Sequence, residues 1–265
     1  MFGREHTSLR LAVIANPRSG NMWLRRLLVA LYGLEERSAH TPADVPWDDL
    51  PERCVLQIHW HPERAFRRRL RASGFRAVVL VRHPLDALVS ILHFAGHEPE
   101  TARWLGGEHG DESSIIGADP TSEGFLRYAT GARAYALLSI SPAWWKKAAF
   151  ATRYEDLVAA PERELARLVQ AVRAPTVCTP AEAVERVTFD RLAREAANRH
   201  FWQGRPGHWR ELLPADQAAA IAAAHADLIR RFDYAVDPDP NLTPELARAR
   251  WAELAAPPVP VGAAS

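Results

Sequence analysis

The sequence is poor in cysteine: its 265 residues include only Cys54 and Cys178. These two show no CxxC spacing and have no histidine at an interval typical of zinc sites. The pattern therefore does not indicate a zinc or redox motif, and it predicts two thiols in the core or in loops. Such low cysteine usage fits a reducing compartment.

Long hydrophobic runs are also absent. The apolar run nearest the amino terminus, at residues 11–15, has five residues, which is too short for the hydrophobic part of a signal peptide. No stretch approaches the ~20 apolar residues of a membrane-spanning helix. We therefore expect a soluble, cytoplasmic protein without a membrane span.

Neither sign of charge is in excess. Lysine and arginine total 33, and aspartate and glutamate total 32, so the net charge is +1. A general nucleic-acid or anionic-membrane binder needs a basic excess. We therefore expect no nucleic-acid partner, and any anion site must be local. The chain is 48% hydrophobic, which is enough for a large core.

Short apolar runs that alternate with helical patterns are what the sequence does contain. Uninterrupted runs predict buried parallel strands at residues 11–15, 54–58, 77–81 and 148–153. Residues 35–53 and 95–122 are predicted as loops. Single helices are predicted over 125–138 and from 214 to about 231, and Thr179 begins a further helix with a capping box. The alternation predicts an α/β fold, a central parallel sheet flanked by helices.

This organisation predicts one domain over residues 1–236 and a tail over 237–265 that holds a short helix. The ligand crevice of a parallel sheet lies beyond the carboxyl ends of its strands. The segments that follow residues 15, 58, 81 and 153 should therefore converge.

The segment after the first strand reads Pro17-Arg18-Ser19-Gly20-Asn21. It leads into a helix, whose first turn offers unpaired N–H groups and partial positive charge. Glycine permits close backbone approach, and Arg18 adds a charge and a planar fork for oxyanions. A phosphate or sulfate site is one interpretation, and an ordinary turn with a solvated arginine is the other. The ATP-binding consensus GxxxxGK[ST] is absent.

Three further stretches occur in order along the chain: VRHPLDALVS at 81–90, TRYEDLVAAPEREL at 152–165 and FWQGRPGHWRELL at 201–213. Together with PRSGNMWL at 17–24, they resemble the family of sulfotransferases that use 3′-phosphoadenosine 5′-phosphosulfate (PAPS). The resemblance runs from about residue 10 to residue 234. It implies a sulfotransferase fold similar to that of P-loop kinases. It also implies sulfonate transfer to an acceptor hydroxyl, with release of adenosine 3′,5′-bisphosphate (PAP).

The resemblance assigns roles around the 5′-phosphosulfate. Arg18 takes the place of the family's lysine and holds the bridging oxygen, and Trp23 stacks on adenine. Hydrogen bonds to the phosphosulfate come from Ser19, Gly20, Asn21 and Met22. Asn21-Met22 replaces a Thr-Thr pair, which removes two hydroxyl groups.

For the 3′-phosphate and the base, the resemblance implies a clamp by Arg82 and Ser90. Tyr154 faces the adenine, Phe189 lies on its other side, and Gly204 belongs to a loop over the 3′-phosphate. In that loop Trp202-Gln203 replaces the family's Arg-Lys pair. Arg205 or Arg199 is the candidate for the missing charge.

The catalytic base falls in LQIHWHPER at 56–64, which is similar to the family's Lys-Thr-His-Leu-Pro stretch. His59 matches the catalytic histidine, and Gln57 replaces a lysine. A shift of register would make His61 the base instead. Sulfonate transfer needs a cation on the leaving oxygen and a base on the acceptor, and these are assigned to Arg18 and the histidine. No metal is expected.

The acceptor is left open among small molecules, sugars, glycopeptides and lipids. Trp47, Phe94, His97 and Trp104 are candidates for its pocket. The family's dimer signature is missing near residues 210–220, so the oligomeric state is not indicated. Two alternatives to a sulfotransferase stay open: an ATP-dependent small-molecule kinase, and a catalytically silent nucleotide-binding protein on the same fold.

Overall fold

A parallel sheet forms the centre of the protein. The computed structural model describes residues 8–98, 110–188, 191–192 and 204–255. Within these ranges five strands lie in the order β2-β3-β1-β4-β5, and each neighbouring pair is parallel. The strands are β1 Leu9–Ala15, β2 Glu35–Ala39, β3 Arg53–Ile58, β4 Phe75–Val81 and β5 Phe150–Arg153. The predicted fold class is therefore confirmed.

Helices cover both faces of this sheet. Their bounds are α1 Asn21–Tyr32, α2 Arg64–Ala72, α3 Pro84–His97, α4 Glu123–Ala129, α5 Ala132–Leu138, α6 Ile140–Trp144, α7 Tyr154–Ala159, α8 Pro161–Val172, α9 Pro180–Arg186, α10 Ala215–Ala224, α11 Ala226–Arg231 and α12 Pro244–Ala255. α9 begins with the predicted capping box, in which Thr179 and Glu182 bond each other's backbone N–H.

The central strand shows why the apolar runs are uninterrupted. Leu11 and Val13 pack into a core with α1 and α8, whereas Ala12 and Ile14 pack into a second core with α2 and α3. Both faces of a strand are buried in such a sheet, so both sets of alternating residues must be apolar. Burial of each leucine or isoleucine side chain stabilises the fold by ~1.5–3 kcal/mol.

Strand β2 corrects the prediction of a loop over residues 35–53. Its sequence EERSA buries only Ala39, because β2 is an edge strand and most of it faces solvent. Hydrophobic pattern therefore gave no signal. Salt bridges hold the strand to α1: the Glu36 carboxylate lies 3.1 Å from Arg25 Nε and 2.6 Å from Arg26 Nη1.

Two predicted helices are each divided. The one over 125–138 breaks at Thr130 and Gly131 between α4 and α5. The one from 214 to about 231 breaks at His225, which is buried and contacts the carbonyl of Ala129 through Nε2 at 2.7 Å. A tertiary contact to another helix accompanies this second break, and local sequence does not record such a contact.

The carboxyl ends of the strands meet at one edge, as predicted. Ile58 pairs with Ile14 on one side and with Ala39 on the other, and Val81 pairs with Arg153. The segments that follow these strands are therefore neighbours. α12 lies within the predicted tail, and its Trp251 is buried in the core that contains α3. None of the helices in the described ranges combines the length and apolar character that a bilayer crossing requires.

Ser141 in α6 anchors the end of β1. Its Oγ donates to the carbonyl of Leu80 at 2.7 Å and accepts from the N–H of Asn16 at 2.8 Å. Its own N–H donates to Asn16 Oδ1 at 3.3 Å, and Asn21 Nδ2 donates to the Asn16 carbonyl at 3.0 Å. This buried network sets where the chain turns from β1 toward α1.

We expect Ser141→Ala to lower the free energy of unfolding by ~1–3 kcal/mol, because it leaves the buried N–H of Asn16 and carbonyl of Leu80 without this partner. Urea unfolding measures the change. Ser139→Ala is the matched control: its hydroxyl is only partly buried and donates within its own helical turn, to Ala136. A loss for Ser141→Ala no larger than for the control contradicts the anchoring role.

Candidate active site

The turn between β1 and α1 has unusual backbone geometry. Arg18 has φ +62° and Gly20 has φ +89°, and Gly20 caps α1 without any side-chain hydrogen bond to the helix. A left-handed conformation is costly for a residue such as arginine, by ~1–3 kcal/mol, and such residues cluster at functional sites. The amide groups of the first helical turn face the edge where the strands end.

The Arg18 side chain turns toward α3. Its Nε donates to Ser90 Oγ at 3.2 Å, and its guanidinium lies 5.2 Å from the centre of the Phe94 ring. Burial, and next the charge of Arg82, lower the pKa of Arg18 to about 10, against a smaller raising effect of Glu98. Arg18 thus remains a cation at neutral pH, in a place where positive charge is already crowded.

Arg82, directly after β4, is that neighbouring cation and is 8% exposed. Its Nη1 donates to the carbonyl of Arg18 at 2.9 Å, and its Nη2 approaches the carbonyl of Arg205 at 3.5 Å. The guanidinium stacks 4.7 Å from the centre of the Tyr154 ring. Its buried Nε has no hydrogen-bond partner among the described residues. Arg82 therefore joins three of the predicted site segments.

Tyr154, directly after β5, packs under the turn. Its hydroxyl donates to the carbonyl of Gly204, and burial is the main reason that its pKa is raised. A Cβ on Gly20 would lie 2.5 Å from Tyr154 Cε2, so only glycine fits there. Trp23 meets the Tyr154 ring edge-on at 6.5 Å and donates from Nε1 to the carbonyl of Val187 at 3.0 Å.

Two polar side chains of the turn retain unused hydrogen-bonding capacity. Ser19 is fully buried, and its Oγ has no partner in the described part of the chain. Asn21 Oδ1 is likewise buried without one. Met22 follows in the first turn of α1 and is partly buried. An unsatisfied buried polar atom costs ~1–3 kcal/mol, a cost that a bound ligand with polar groups relieves.

His59 lies beside the turn, because it follows the β3 residue that pairs with Ile14. Its Nδ1 is 2.7 Å from the carbonyl of Ala15. A carbonyl only accepts, so Nδ1 carries the proton and Nε2 of the neutral ring carries the lone pair. Burial, aided by the charges of His40 and Arg18, lowers the pKa of His59 to about 4, although the bond to Ala15 opposes this.

The neighbouring His61 is held elsewhere. Its Nε2 is 3.0 Å from the carbonyl of Ala136 in α5. Gln57, two residues before His59, is partly buried, and its Oε1 has no partner within the described ranges.

The remaining predicted residues have four different outcomes. Arg205 is exposed and forms a two-bond salt bridge with Glu211 at 2.7 and 2.6 Å, so its charge is engaged there. Trp47 packs against Phe75 at the amino-terminal end of β4, away from the edge where the strands end. His97 is in the last turn of α3 and stacks on His93. Phe189, Trp104, Arg199, Trp202 and Gln203 lie outside the described residues.

Sequence reasoning missed the residues that support this site. Glu155 accepts from the N–H of His83 at 2.9 Å and from the hydroxyl of Tyr234 at 3.2 Å, and so joins the segments after β4 and β5. Asn16 is a second supporting residue that was missed, because it anchors the turn between β1 and α1. The available signal was position: each of them directly follows, or lies one residue beyond, the end of a predicted strand. Among the described residues, no group of histidine, cysteine, aspartate and glutamate is arranged to hold a metal ion.

Comparison with known proteins identifies the fold. No protein-family profile and no curated protein sequence matches the chain. Among solved structures, mouse sulfotransferase SULT7A1 complexed with PAP matches with a TM-score of 0.65 at 15% identity, over 86% of this chain and 89% of that one. Retinol dehydratase with androsterone and the inactive cofactor PAP matches with a TM-score of 0.55 at 14% identity, over 88% and 83%. The complex of retinol dehydratase with retinol and PAP gives 0.54 at 14% identity, over the same shares. The chain therefore has the sulfotransferase fold.

The close approach of Gly20 to Tyr154 generates a stability prediction. Gly20→Ala should cost about 2–5 kcal/mol, the sum of ~1–2 for a left-handed alanine and ~1–3 for overpacking. Gly117→Ala is the matched control, because φ there is +77° and no atom lies within 4 Å of the added Cβ. Urea unfolding should show the larger loss for Gly20→Ala; equal losses contradict tight packing of Tyr154 on the turn.

Proposed function

We propose that this chain, which has the sulfotransferase fold, transfers a sulfonate group from PAPS to an acceptor hydroxyl and releases PAP. The observation that carries the proposal is the pairing of Arg18 with Arg82 at the first turn of α1, where each is removed from much of the solvent. Two adjacent cations in such a place are stabilised by a ligand that carries more than one anionic group. PAPS is such a ligand, and it supplies the activated sulfonate.

Arg18 is proposed to neutralise the leaving oxygen. Sulfonate transfer is an in-line displacement in which negative charge grows on that oxygen, as in phosphoryl transfer. A fixed guanidinium at the first helical turn stabilises this charge without reorganisation. Around it, Ser19, Gly20, Asn21 and Met22 are proposed to bind the 5′-phosphosulfate, and the unused atoms of Ser19 and Asn21 support this assignment. The proposal gives charge neutralisation to the protein itself rather than to a metal ion.

Arg82 and Ser90 are proposed to bind the 3′-phosphate. Both are buried, and Arg18 Nε already connects the turn to Ser90 Oγ. The unused Nε of Arg82 is available as a further donor. Trp23 and Tyr154 are proposed to face the adenine, with Phe189 on its other side, and Gly204 to lie over the 3′-phosphate. Because Arg205 already pairs with Glu211, we give the 3′-phosphate charge contact to Arg82.

His59 is proposed as the general base. Its Nδ1–H donates to Ala15, so Nε2 is the atom that takes the acceptor proton. With a pKa of about 4 the free ring is neutral at pH 7, the form that a base requires. An anion bound at Arg18 offsets one of the positive charges that lower this pKa, so the pKa rises on nucleotide binding and His59 becomes a stronger base. His61 instead directs its Nε2 to Ala136.

The acceptor class is proposed as a hydroxyl-bearing small molecule, sugar, glycopeptide or lipid, in a cytoplasmic setting. Androsterone and retinol, bound in two of the structural neighbours, make small apolar alcohols the first acceptors to test. Phe94, whose ring lies against Arg18, is the pocket candidate with a contact to the site.

Removal of the base should separate binding from chemistry. We expect His59→Ala to lower sulfonate transfer at least ~100-fold, with PAP affinity little changed because the ring does not hold the nucleotide. The transfer rate is measured with labelled sulfonate from PAPS and a panel of alcohols, and the PAP affinity is measured by calorimetry.

His61→Ala is the control for this experiment, and it should retain most of the transfer. If His61→Ala abolishes transfer and His59→Ala does not, the base is His61. If the unmodified chain binds PAP tightly yet transfers nothing to a broad panel of acceptors, the chain is a silent nucleotide-binding protein.

Arg82→Ala should weaken binding selectively for nucleotides with a 3′-phosphate. We expect PAP to lose about 10- to 100-fold in affinity, because a hydrogen bond to a charged group contributes ~1.5–3 kcal/mol. Adenosine 5′-phosphate, which lacks the 3′ group, should lose much less. Arg205→Ala serves as the comparison and should leave the preference for PAP intact.

Equal losses for both nucleotides contradict the assignment of Arg82. Thermal stabilisation by different nucleotides tests the kinase alternative. A larger stabilisation by ATP with magnesium than by PAP would favour a kinase. The absence of a Gly-Lys-Ser/Thr sequence in the turn argues against that result.

A further inference from the structure

Asp86, in the first turn of α3, is a buried carboxylate that the proposed chemistry does not use. It is 2% exposed. Its Oδ2 accepts from the N–H of Gly207 at 2.7 Å, and its Oδ1 accepts from the N–H of Trp209 at 3.1 Å. Burial of a charge is costly unless hydrogen bonds compensate it, and here both oxygens are engaged by one distant backbone segment. Asp86 therefore fixes residues 207–209 against α3.

The same segment is held at two further points. The Gly204 carbonyl accepts from Tyr154, and the Arg205 carbonyl lies 3.5 Å from Arg82 Nη2. These contacts come from the ends of β5 and β4, within the proposed nucleotide site. Asp86 lies four residues after Arg82 and four before Ser90, so the anchor of the segment stands between the two clamp residues, with Arg82 just before α3 and Ser90 within it.

We propose that Asp86 is a positioning residue for 3′-phosphate recognition, acting through the backbone of residues 204–209; this rests on the proposed function. The sequence has Trp202-Gln203 instead of two basic side chains before Gly204, and Arg205 pairs with Glu211. The described part of this segment therefore contacts Arg82 through a backbone carbonyl, while the side-chain charge of Arg205 is engaged by Glu211. Backbone groups are useful only when their position is set, and Asp86 sets it.

The charge of Asp86 makes the proposal testable by the direction in which PAP affinity changes. Its field reaches the site: burial raises the pKa of Tyr154 and Glu155 and the charge of Asp86 adds to this rise, whereas burial lowers the pKa of His83 and the charge of Asp86 opposes that lowering. A negative charge there opposes a bound phosphate, so removal of charge alone should tighten PAP binding. Loss of positioning should instead weaken it. The two roles therefore predict opposite changes for the same substitution.

The experiment compares Asp86→Asn with Glu155→Gln in the full chain. Glu155 is a second carboxylate beside Arg82, with a side chain 18% exposed, and it has no hydrogen bond to residues 204–209 among those described. We expect Asp86→Asn to weaken PAP about tenfold, through lost charge-assisted bonds, and to change adenosine 5′-phosphate far less. Glu155→Gln removes a negative charge beside Arg82 and leaves residues 204–209 held, so it should not weaken PAP relative to adenosine 5′-phosphate and should tighten it if it has any effect.

Amide hydrogen exchange supplies a readout that needs no nucleotide. In Asp86→Asn, exchange at Gly207 and Trp209 should accelerate while β1 and β4 stay protected. Asp86→Glu, which keeps the charge, should recover part of the protection and of the preference for PAP. If Asp86→Asn tightens PAP, or weakens both nucleotides equally, the proposal is wrong.

Failure of the proposed function has a different signature. If the unmodified chain does not bind PAP, the nucleotide assignment fails, and the proposal for 3′-phosphate recognition fails with it. The exchange data then decide separately whether Asp86 holds the segment. If Asp86→Asn does not fold, exchange in the unmodified chain decides: unprotected amides at Gly207 and Trp209 overturn the proposal, whereas slow exchange at both supports it.

Discussion

The juxtaposition of two guanidinium groups underlies the rest of the site. Arg82 donates to the carbonyl of Arg18, and its charge helps to lower the pKa of that residue to about 10. Such repulsion in a partly dehydrated place is unfavourable unless an anion offsets it. Stacking on Phe94 and Tyr154 and a bond to Ser90 hold the two side chains where they are. The protein thus maintains positive charge at the first turn of α1.

The sheet supplies the rigidity that this arrangement needs. Both faces of β1 are buried, and Ser141 bonds both the end of β1 and β4. The turn that carries Arg18 therefore begins at a fixed position. The end of β3 places His59 beside Ala15, and the end of β5 places Tyr154 under Gly20. Where these segments meet, side chains from one strand end bond the backbone of another. Pre-positioned charge of this kind is what displacement chemistry requires.

Much of this architecture could be predicted. The apolar runs at β1, β3 and β4 are largely buried on both faces, and β5 at the other edge buries alternate residues; pattern alone revealed all four. Edge strand β2 buries only Ala39 and left no pattern. The break at His225 was invisible for a related reason, since its contact is to Ala129, 96 residues away. Of the candidate site, the structure brings Arg18, Ser90, Arg82 and Tyr154 together; Trp47 packs elsewhere, and the role of Phe189 stays a prediction.

Local order along the chain was enough to identify which segments meet at the candidate site: strand ends followed by polar, glycine-bearing turns, with Arg18, His59 and Arg82 among their residues. Hydrophobic periodicity and turn chemistry depend on neighbours in sequence, so they can be read directly. The proton position on His59 and the hold of Asp86 on residues 207–209 could not be read in this way. Each depends on a partner that a different segment supplies, and the folded chain alone brings that partner within hydrogen-bonding distance.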